Sequence, residues 1–135
     1  MSAEARSGPV RNVVLVVDEE VLVRYVICDY LRECGYRVVE AANAVEALQV
    51  LQESDVGVDV ILNSVQLPGS TAGFSLARWV RAHRPEIGVI LVGTVPQAAD
   101  AAAELCEEGP MLARPYEPQA VVDRIKRLLA ERDRA

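Results

Sequence analysis

The chain has 135 residues, of which 51% are hydrophobic and 4% aromatic, so it contains enough apolar material for one domain with an aliphatic core. Its net charge of −6 opposes binding to a nucleic-acid backbone or to an anionic membrane surface. No apolar stretch is long enough to cross a bilayer, and the polar first residues do not resemble a signal peptide. We therefore expect a cytoplasmic protein that binds neither nucleic acid nor membrane.

Short apolar segments rich in β-branched residues alternate with segments of helical periodicity along the chain. Strands are predicted at 13–17, 36–40, 58–62, 87–92 and 111–113, and helices at 20–34, 44–53, 74–84, 96–107 and 118–131. Gly35 is a predicted helix stop and Asn43 a predicted N-cap. Because the connections are short, the alternation predicts an α/β fold, a doubly wound parallel sheet of five strands with helices on both faces.

We expect one domain over residues 12–130, with an N-terminal extension over 1–11 and a charged C-terminal tail over 131–135. The three cysteines, Cys28, Cys34 and Cys106, lack metal-binding or redox spacing, so we expect small buried side chains. His83, the single histidine, closes a predicted helix, where a solvated helix end is the simplest interpretation.

Polar residues follow the predicted strands at their carboxyl ends. They are Asp18-Glu19 after the first strand, Asn63-Ser64 after the third, Gly93-Thr94 after the fourth and Arg114-Pro115-Tyr116 after the fifth. In an open parallel sheet, functional groups gather in the crevice outside this edge. We therefore expect the functional site at this edge of the sheet.

These four segments, together with the turn at 67–69, resemble the receiver domain of bacterial two-component response regulators over about residues 12–130. The resemblance implies a flavodoxin-like (βα)5 fold with sheet order 2-1-3-4-5. It also implies an acidic pair that holds Mg²⁺ and an aspartate on the third strand that accepts a phosphoryl group from a histidine kinase. In that family, a hydroxyl on the fourth strand and a lysine on the fifth bind the phosphoryl oxygens.

Matched residue by residue, the chain keeps the acidic pair as Asp18 and Glu19 but departs from the family elsewhere. Counting back from the turn at 67–69 places Ser64 at the phosphoacceptor position, whereas Asp59 matches an ordinary polar residue that enters the strand. The other departures are Gly93 at the hydroxyl position with Thr94 one residue late, Arg114 for the lysine, and Met111 for the aromatic switch residue. The resemblance also implies a cis bond between Arg114 and Pro115.

A serine hydroxyl is not anionic and is a poor ligand for a hard cation, so Ser64 predicts a pocket that is not built for phosphorylation. Losing one carboxylate should make Mg²⁺ binding at Asp18 and Glu19 weak or absent, and no other cofactor is expected. We hypothesise that Arg114 pairs with Asp18 or Glu19 across the pocket. No residue is assigned a catalytic role.

The leading hypothesis is an atypical single-domain receiver that acts by phosphorylation-independent protein binding and is not an enzyme. Its expected partners are a sensor histidine kinase or a downstream output protein, or a second copy through the predicted fourth helix, fifth strand and fifth helix. One alternative is a phosphorelay receiver that accepts phosphate at Asp18 or Glu19. Another is a small α/β enzyme or nucleotide-binding domain that uses the same crevice, although the sequence lacks a glycine-rich phosphate loop.

Overall fold

The computed structural model describes residues 12–53, 55–64, 72–93, 112–113 and 116–134. The strands are β1 (Val13–Val17), β2 (Arg37–Ala41), β3 (Val60–Ser64), β4 (Gly88–Gly93) and β5 (Leu112–Ala113). The helices are α1 (Val21–Glu33), α2 (Ala44–Glu53), α3 (Ala72–His83) and a C-terminal helix (Pro118–Arg134). These elements confirm the predicted alternation over the described part of the chain.

The five strands form one parallel sheet in the order β2-β1-β3-β4-β5. This confirms the predicted α/β class and the strand order that the resemblance implied. The buried residues of α1 pack on one face of the sheet, and those of α3 pack on the other. The chain therefore leaves β1 and β3 toward opposite faces, which opens a crevice between the carboxyl ends of these two strands.

Alternate side chains of the strands enter two aliphatic clusters, one on each face of the sheet. One cluster joins Val14, Val16, Val60, Leu62 and Ile90 to Ile27, Cys28 and Leu31 of α1 and to Val121, Val122 and Ile125 of the C-terminal helix. The other joins Leu15, Ile61 and Leu91 to Ala47, Leu51, Leu76 and Val80 of α2 and α3. Burial on both faces explains why the sequences of β1 and β4 are continuously apolar rather than alternating.

The helix ends follow the local chemistry of the sequence. Gly35 has φ +99°, a left-handed conformation that favours glycine, and it ends α1 as predicted. The Asn43 side chain accepts a hydrogen bond from the Glu46 N–H at 2.9 Å, which confirms the predicted N-cap. The Glu46 carboxylate in turn accepts a hydrogen bond from the Ala42 N–H at 2.7 Å. The first turn of α2 is therefore held from both sides.

Several sequence expectations need correction. β3 was expected at 58–62 but covers Val60–Ser64, because pairing with β1 and β4 extends it through two polar residues. The C-terminal helix passes the expected end near residue 131 and reaches Arg134. Cys28 is buried as expected, but Cys34 is exposed because it follows the last turn of α1.

Some expected features lie outside the described residues, namely the predicted fourth helix at 96–107, Cys106 and the extension at 1–11. His83 is exposed at the end of α3, which confirms the solvated helix end. Within the described ranges, every helix is too short or too polar to span a lipid bilayer.

Candidate functional site

The candidate site lies at the carboxyl edge of the sheet, where β1 and β3 end side by side. Val17 of β1 pairs with Asn63 of β3, so the next residues, Asp18 and Ser64, lie beside each other. Asp18 is only 3% exposed although it is the first residue after a strand. The parallel register therefore brings a buried carboxylate and a serine hydroxyl together at the switch point of the fold.

Both carboxylate oxygens of Asp18 accept hydrogen bonds from this chain. The Ser64 hydroxyl donates to Oδ2 at 2.8 Å, and the Glu20 N–H donates to Oδ1 at 2.9 Å. A hydrogen bond to a charged acceptor is stronger than one between neutral groups. The buried charge of Asp18 is therefore stabilised by donors within the protein, one of which is the residue at the expected phosphoacceptor position.

Arg24 of α1 is a further residue of the site that the sequence analysis missed. Its Nη1 donates to the Asp18 main-chain carbonyl at 2.6 Å, and its Nε lies 3.1 Å from a carboxylate oxygen of Glu40. The Glu40 carboxylate also pairs with Arg32 at 3.2 Å. No sequence motif distinguishes Arg24 from a solvated helix residue, because its role depends on α1 packing beside β2. Arg24 fixes the backbone that carries Asp18.

The remaining predicted site residues are only partly described. Glu19 follows Asp18 and is exposed. Gly93 ends β4 and pairs with Ala113 of β5, and its neighbour Val92 pairs with Ser64. Because residue 93 is a glycine, the position expected to carry a hydroxyl has no side chain. Thr94, Met111, Arg114 and Pro115 lie outside the described residues, as do the proposed Arg114 ion pair and the cis bond.

Asp59 lies at the opposite edge of the sheet from Ser64. Its Oδ2 accepts a hydrogen bond from the Val13 N–H at 2.7 Å, and its Oδ1 accepts one from Arg132 at 2.9 Å. These contacts hold β1, β3 and the C-terminal helix together. The position and its partners agree with a structural role and separate Asp59 from the candidate site.

The family resemblance implies that Asp18 and Glu19 hold Mg²⁺, which requires several oxygen ligands close together. Among the described residues, no three His, Cys, Asp or Glu side chains lie close enough together to hold a metal ion. Asp18 already accepts hydrogen bonds on both oxygens, and its neighbour Ser64 offers only a neutral hydroxyl. This donor set fits Mg²⁺ poorly because a hard cation prefers several anionic oxygens.

The sequence profile of the response regulator receiver domain matches residues 14–126, and the chain belongs to that family. A similar curated protein is the transcriptional regulatory protein AruR of Pseudomonas aeruginosa, which is 35% identical over 120 residues. That alignment covers 86% of this chain and 48% of AruR. The chain thus spans about half the length of the curated relatives AruR and GltR.

Solved structures agree on the fold. A CheY-like receiver domain protein from Methanospirillum hungatei has a TM-score of 0.76 and 22% identity, over 93% of this chain and 98% of that chain. A receiver protein from Sinorhizobium medicae has a TM-score of 0.79 and 19% identity, over 90% of this chain and 97% of that chain. At these identities the likeness establishes the receiver fold. The receiver family to which this chain belongs is a family of signalling modules, and this membership disfavours the alternative of a small α/β enzyme.

Proposed function

We propose that this receiver domain acts in two-component signalling by binding a protein partner without accepting a phosphoryl group. The observation that carries the proposal is the hydrogen bond from the Ser64 hydroxyl to Asp18 Oδ2 at 2.8 Å. At the phosphoacceptor position of the family, this chain has a donor that stabilises the neighbouring carboxylate. An aspartate there would instead place a second negative charge beside Asp18.

The chemistry of the hydroxyl supports the same proposal. A serine attacks a phosphoryl donor effectively when a general base, most often histidine, removes its proton. The hydrogen-bond partner of Ser64 is instead the Asp18 carboxylate, and a carboxylate is intrinsically a weaker base than an imidazole. The single histidine of the chain, His83, is at the end of α3, where its ring stacks on Trp79 and its Nδ1 lies 3.0 Å from the Trp79 carbonyl. Because α3 runs from the carboxyl edge back across the sheet, His83 is remote from Ser64.

The proposed partners are a sensor histidine kinase or a downstream output protein, since receiver domains act with such proteins. We also propose a cytoplasmic location and weak or absent Mg²⁺ binding. A second copy remains the proposed partner for the face that contains β5 and the C-terminal helix. The alignments with the transcriptional regulatory proteins AruR and GltR cover about half of each relative. The function of the other half is therefore not proposed for this chain.

Intact-mass measurement after incubation with acetyl phosphate and Mg²⁺ tests the proposal. We expect no mass increase for this protein, under conditions in which a receiver domain with the acceptor aspartate gains one phosphoryl group. An adduct on the wild-type protein would overturn the proposal. Hydroxylamine then distinguishes the acceptors, because it cleaves an acyl phosphate on Asp18 or Glu19 and leaves phosphoserine at Ser64 intact.

The Ser64→Asp variant shows whether the rest of the pocket is competent. The added carboxylate lies beside Asp18, so we expect it to increase Mg²⁺ affinity and to allow some phosphorylation. Because Gly93 replaces the hydroxyl of the fourth strand, we expect little restored switching even in a phosphorylated variant. Mg²⁺-dependent thermal shifts of the variant and the wild-type protein measure the first effect.

A further inference from the structure

A cleft of about 440 Å³ lies at the edge of the sheet opposite Ser64, where β3 and β4 begin. One wall is formed by residues 85–88, which include the start of β4, and the other by the last turns of the C-terminal helix. Ligand sites in proteins commonly have volumes of about 300–1,000 Å³. The cleft is therefore large enough to hold a few side chains of a partner.

The floor of the cleft is apolar. Val60 and Ile87 line it and belong to the two buried aliphatic clusters, so the cleft reaches the core of the domain. Leu128 and Leu129 of the C-terminal helix also line it, and both are only partly buried. Because apolar surface gains free energy when it leaves water, apolar groups of a partner that cover these two leucines stabilise the complex.

The charged groups that line the cleft leave two carboxylates without a counter-charge. Asp59 and Arg132 form an ion pair at 2.9 Å, so these two lining charges offset each other. Glu86, in the turn before β4, and Glu131, near the end of the C-terminal helix, are both exposed. With the residues that the structure describes, neither glutamate forms an ion pair or a side-chain hydrogen bond.

Other charges near the cleft do not neutralise it. Arg84 and Arg127 flank the cleft along the chain without lining it, and Arg84 Nη2 donates to the Leu51 carbonyl of α2 at 3.0 Å. Asp133 adds a carboxylate that is 74% exposed. Both α3 and the C-terminal helix end at this edge, and a helix C-terminus carries roughly half a negative charge. The described groups therefore favour a cation in the cleft.

The extent of the cleft favours a short segment over a second copy of the domain. Ten described residues line it, whereas a stable interface between two globular proteins uses about 20–30 residues on each side. Two copies joined here would also bring Glu86 and Glu131 of each copy together. Lysine and arginine carry a charged head on an apolar stem, so one such side chain contacts the leucines and a carboxylate at once.

We propose that this cleft binds a short segment of a protein partner in which basic residues neighbour apolar ones. The inference rests on the proposed function and names the chemistry of its partner. The cleft and the Ser64 pocket lie at opposite ends of β3, and Val60 and Ser64 are about 13 Å apart along an extended strand. Binding at the cleft therefore needs no phosphoryl group at the other end of the strand.

Fluorescence anisotropy with labelled synthetic peptides tests the proposal on the full chain. The probe is a short peptide with blocked ends in which lysines alternate with leucines. One control peptide replaces every lysine with glutamate, and the other replaces every leucine with serine. We expect the probe to bind at least about tenfold more tightly than either control, a difference of about 1.4 kcal/mol.

Matched variants locate the binding site. We expect Glu86→Lys combined with Glu131→Lys to weaken binding about tenfold or more at low salt, because both carboxylates line the cleft. Glu33→Lys combined with Glu53→Lys is the control, since it changes the net charge equally at two exposed glutamates that end α1 and α2, outside the cleft. We expect the control variant to bind the probe within about twofold of the wild-type protein. Circular dichroism confirms that each variant is folded.

The same affinity in both double variants would overturn the proposal, because attraction to an acidic protein in general depends on net charge and not on Glu86 and Glu131. Equal affinity for the serine peptide would overturn it as well, since the leucines would then contribute nothing.

Two further measurements distinguish other occupants of the cleft. A peptide of residues 1–11, which contains Arg6 and Arg11, would overturn the proposal in favour of the chain's own N-terminal segment if it bound as tightly as the probe and competed with it. A dimer in analytical ultracentrifugation that the Glu86→Lys, Glu131→Lys variant abolishes would assign the cleft to a second copy. A phosphoryl adduct in the mass experiment would contradict the proposed function alone, since the peptide measurement uses no phosphodonor.

Discussion

At residue 64, a hydroxyl takes a hydrogen-bonding role that a carboxylate could not take. An ionised aspartate only accepts hydrogen bonds, whereas Ser64 donates one to the buried Asp18. The two residues would repel if both were acidic, and here they attract. The hydroxyl at residue 64 therefore makes a stabilising contact with Asp18, where an aspartate would place a like charge.

We predict that Ser64→Ala lowers the free energy of unfolding by about 1–2 kcal/mol, because it removes a donor from a buried carboxylate while Ser64 itself is partly exposed. Urea denaturation measures the change. Ser75→Ala is the matched control, since Ser75 is an exposed residue of α3 and its loss should stay within about 0.5 kcal/mol. Equal effects of the two substitutions would contradict a stabilising role for the Ser64 hydrogen bond.

At the scale of elements, the C-terminal helix is tied to the sheet at the edge opposite the site. Arg132 forms an ion pair with Asp59 at 2.9 Å, just before β3. Near this point Gly88 of β4 leaves space for Leu128, whose Cδ1 would lie 3.1 Å from an added Cβ. The C-terminal half of this helix therefore approaches the sheet closely.

We predict that Asp59→Ala is more destabilising than Arg132→Ala. Arg132→Ala removes a partly exposed ion pair and should cost about 0.5–1 kcal/mol. Asp59→Ala also removes the acceptor of the Val13 N–H and should cost about 1.5–3 kcal/mol. Chemical denaturation of both variants checks the ranking. Asp133→Ala is a nearly silent control, because that side chain is 74% exposed and its carboxylate lies 3.8 Å from Arg132 Nε. If Arg132→Ala were the more destabilising change, the ion pair, and not the hydrogen bond from Val13, would be the main contribution of Asp59 to stability.

At the scale of the whole molecule, Cys28 is completely buried in the aliphatic cluster that α1 and the C-terminal helix form on one face of the sheet. Its thiol can therefore reach water only when the domain opens. Burial is the largest cause that raises the pKa of the Cys28 thiol, from 9.0 to about 12, and the nearby Glu40 carboxylate adds to it. The folded protein therefore keeps the thiol proton between pH 9 and 12, whereas the unfolded chain loses it. Ionisation in this window favours the unfolded state.

We predict that the free energy of unfolding falls as pH rises above 9, with Cys28 contributing up to about 1.4 kcal/mol per pH unit. Urea denaturation between pH 8 and 10, followed by the fluorescence of the single tryptophan, Trp79, measures this slope. The window stops at 10 because burial also raises the pKa of Tyr36 from 10.0. Cys28→Ala should be less stable at pH 8 but have a shallower slope, and an unchanged slope would contradict the prediction.

Local patterns in the sequence were sufficient for the class of fold and for most element positions. Continuous β-branched segments, the Asn43 cap and the Gly35 stop act over a few residues, so the chain order of strands and helices could be predicted. The errors in these predictions arise because local patterns do not include the pairing between strands. β3 was placed two residues early because apolar content, and not pairing with β1 and β4, defined its end.

The sequence by itself determined that Asp18, Glu19 and Ser64 belong to one edge of a parallel sheet, because strand ends and a recognisable turn are local features. The tertiary structure decided how those residues interact. The hydrogen bond from Ser64 to Asp18 and the ion pair of Arg24 with Glu40 each join different elements of the fold, across 46 and 16 residues of sequence. Such contacts depend on strand register and helix packing, which no short stretch of sequence specifies.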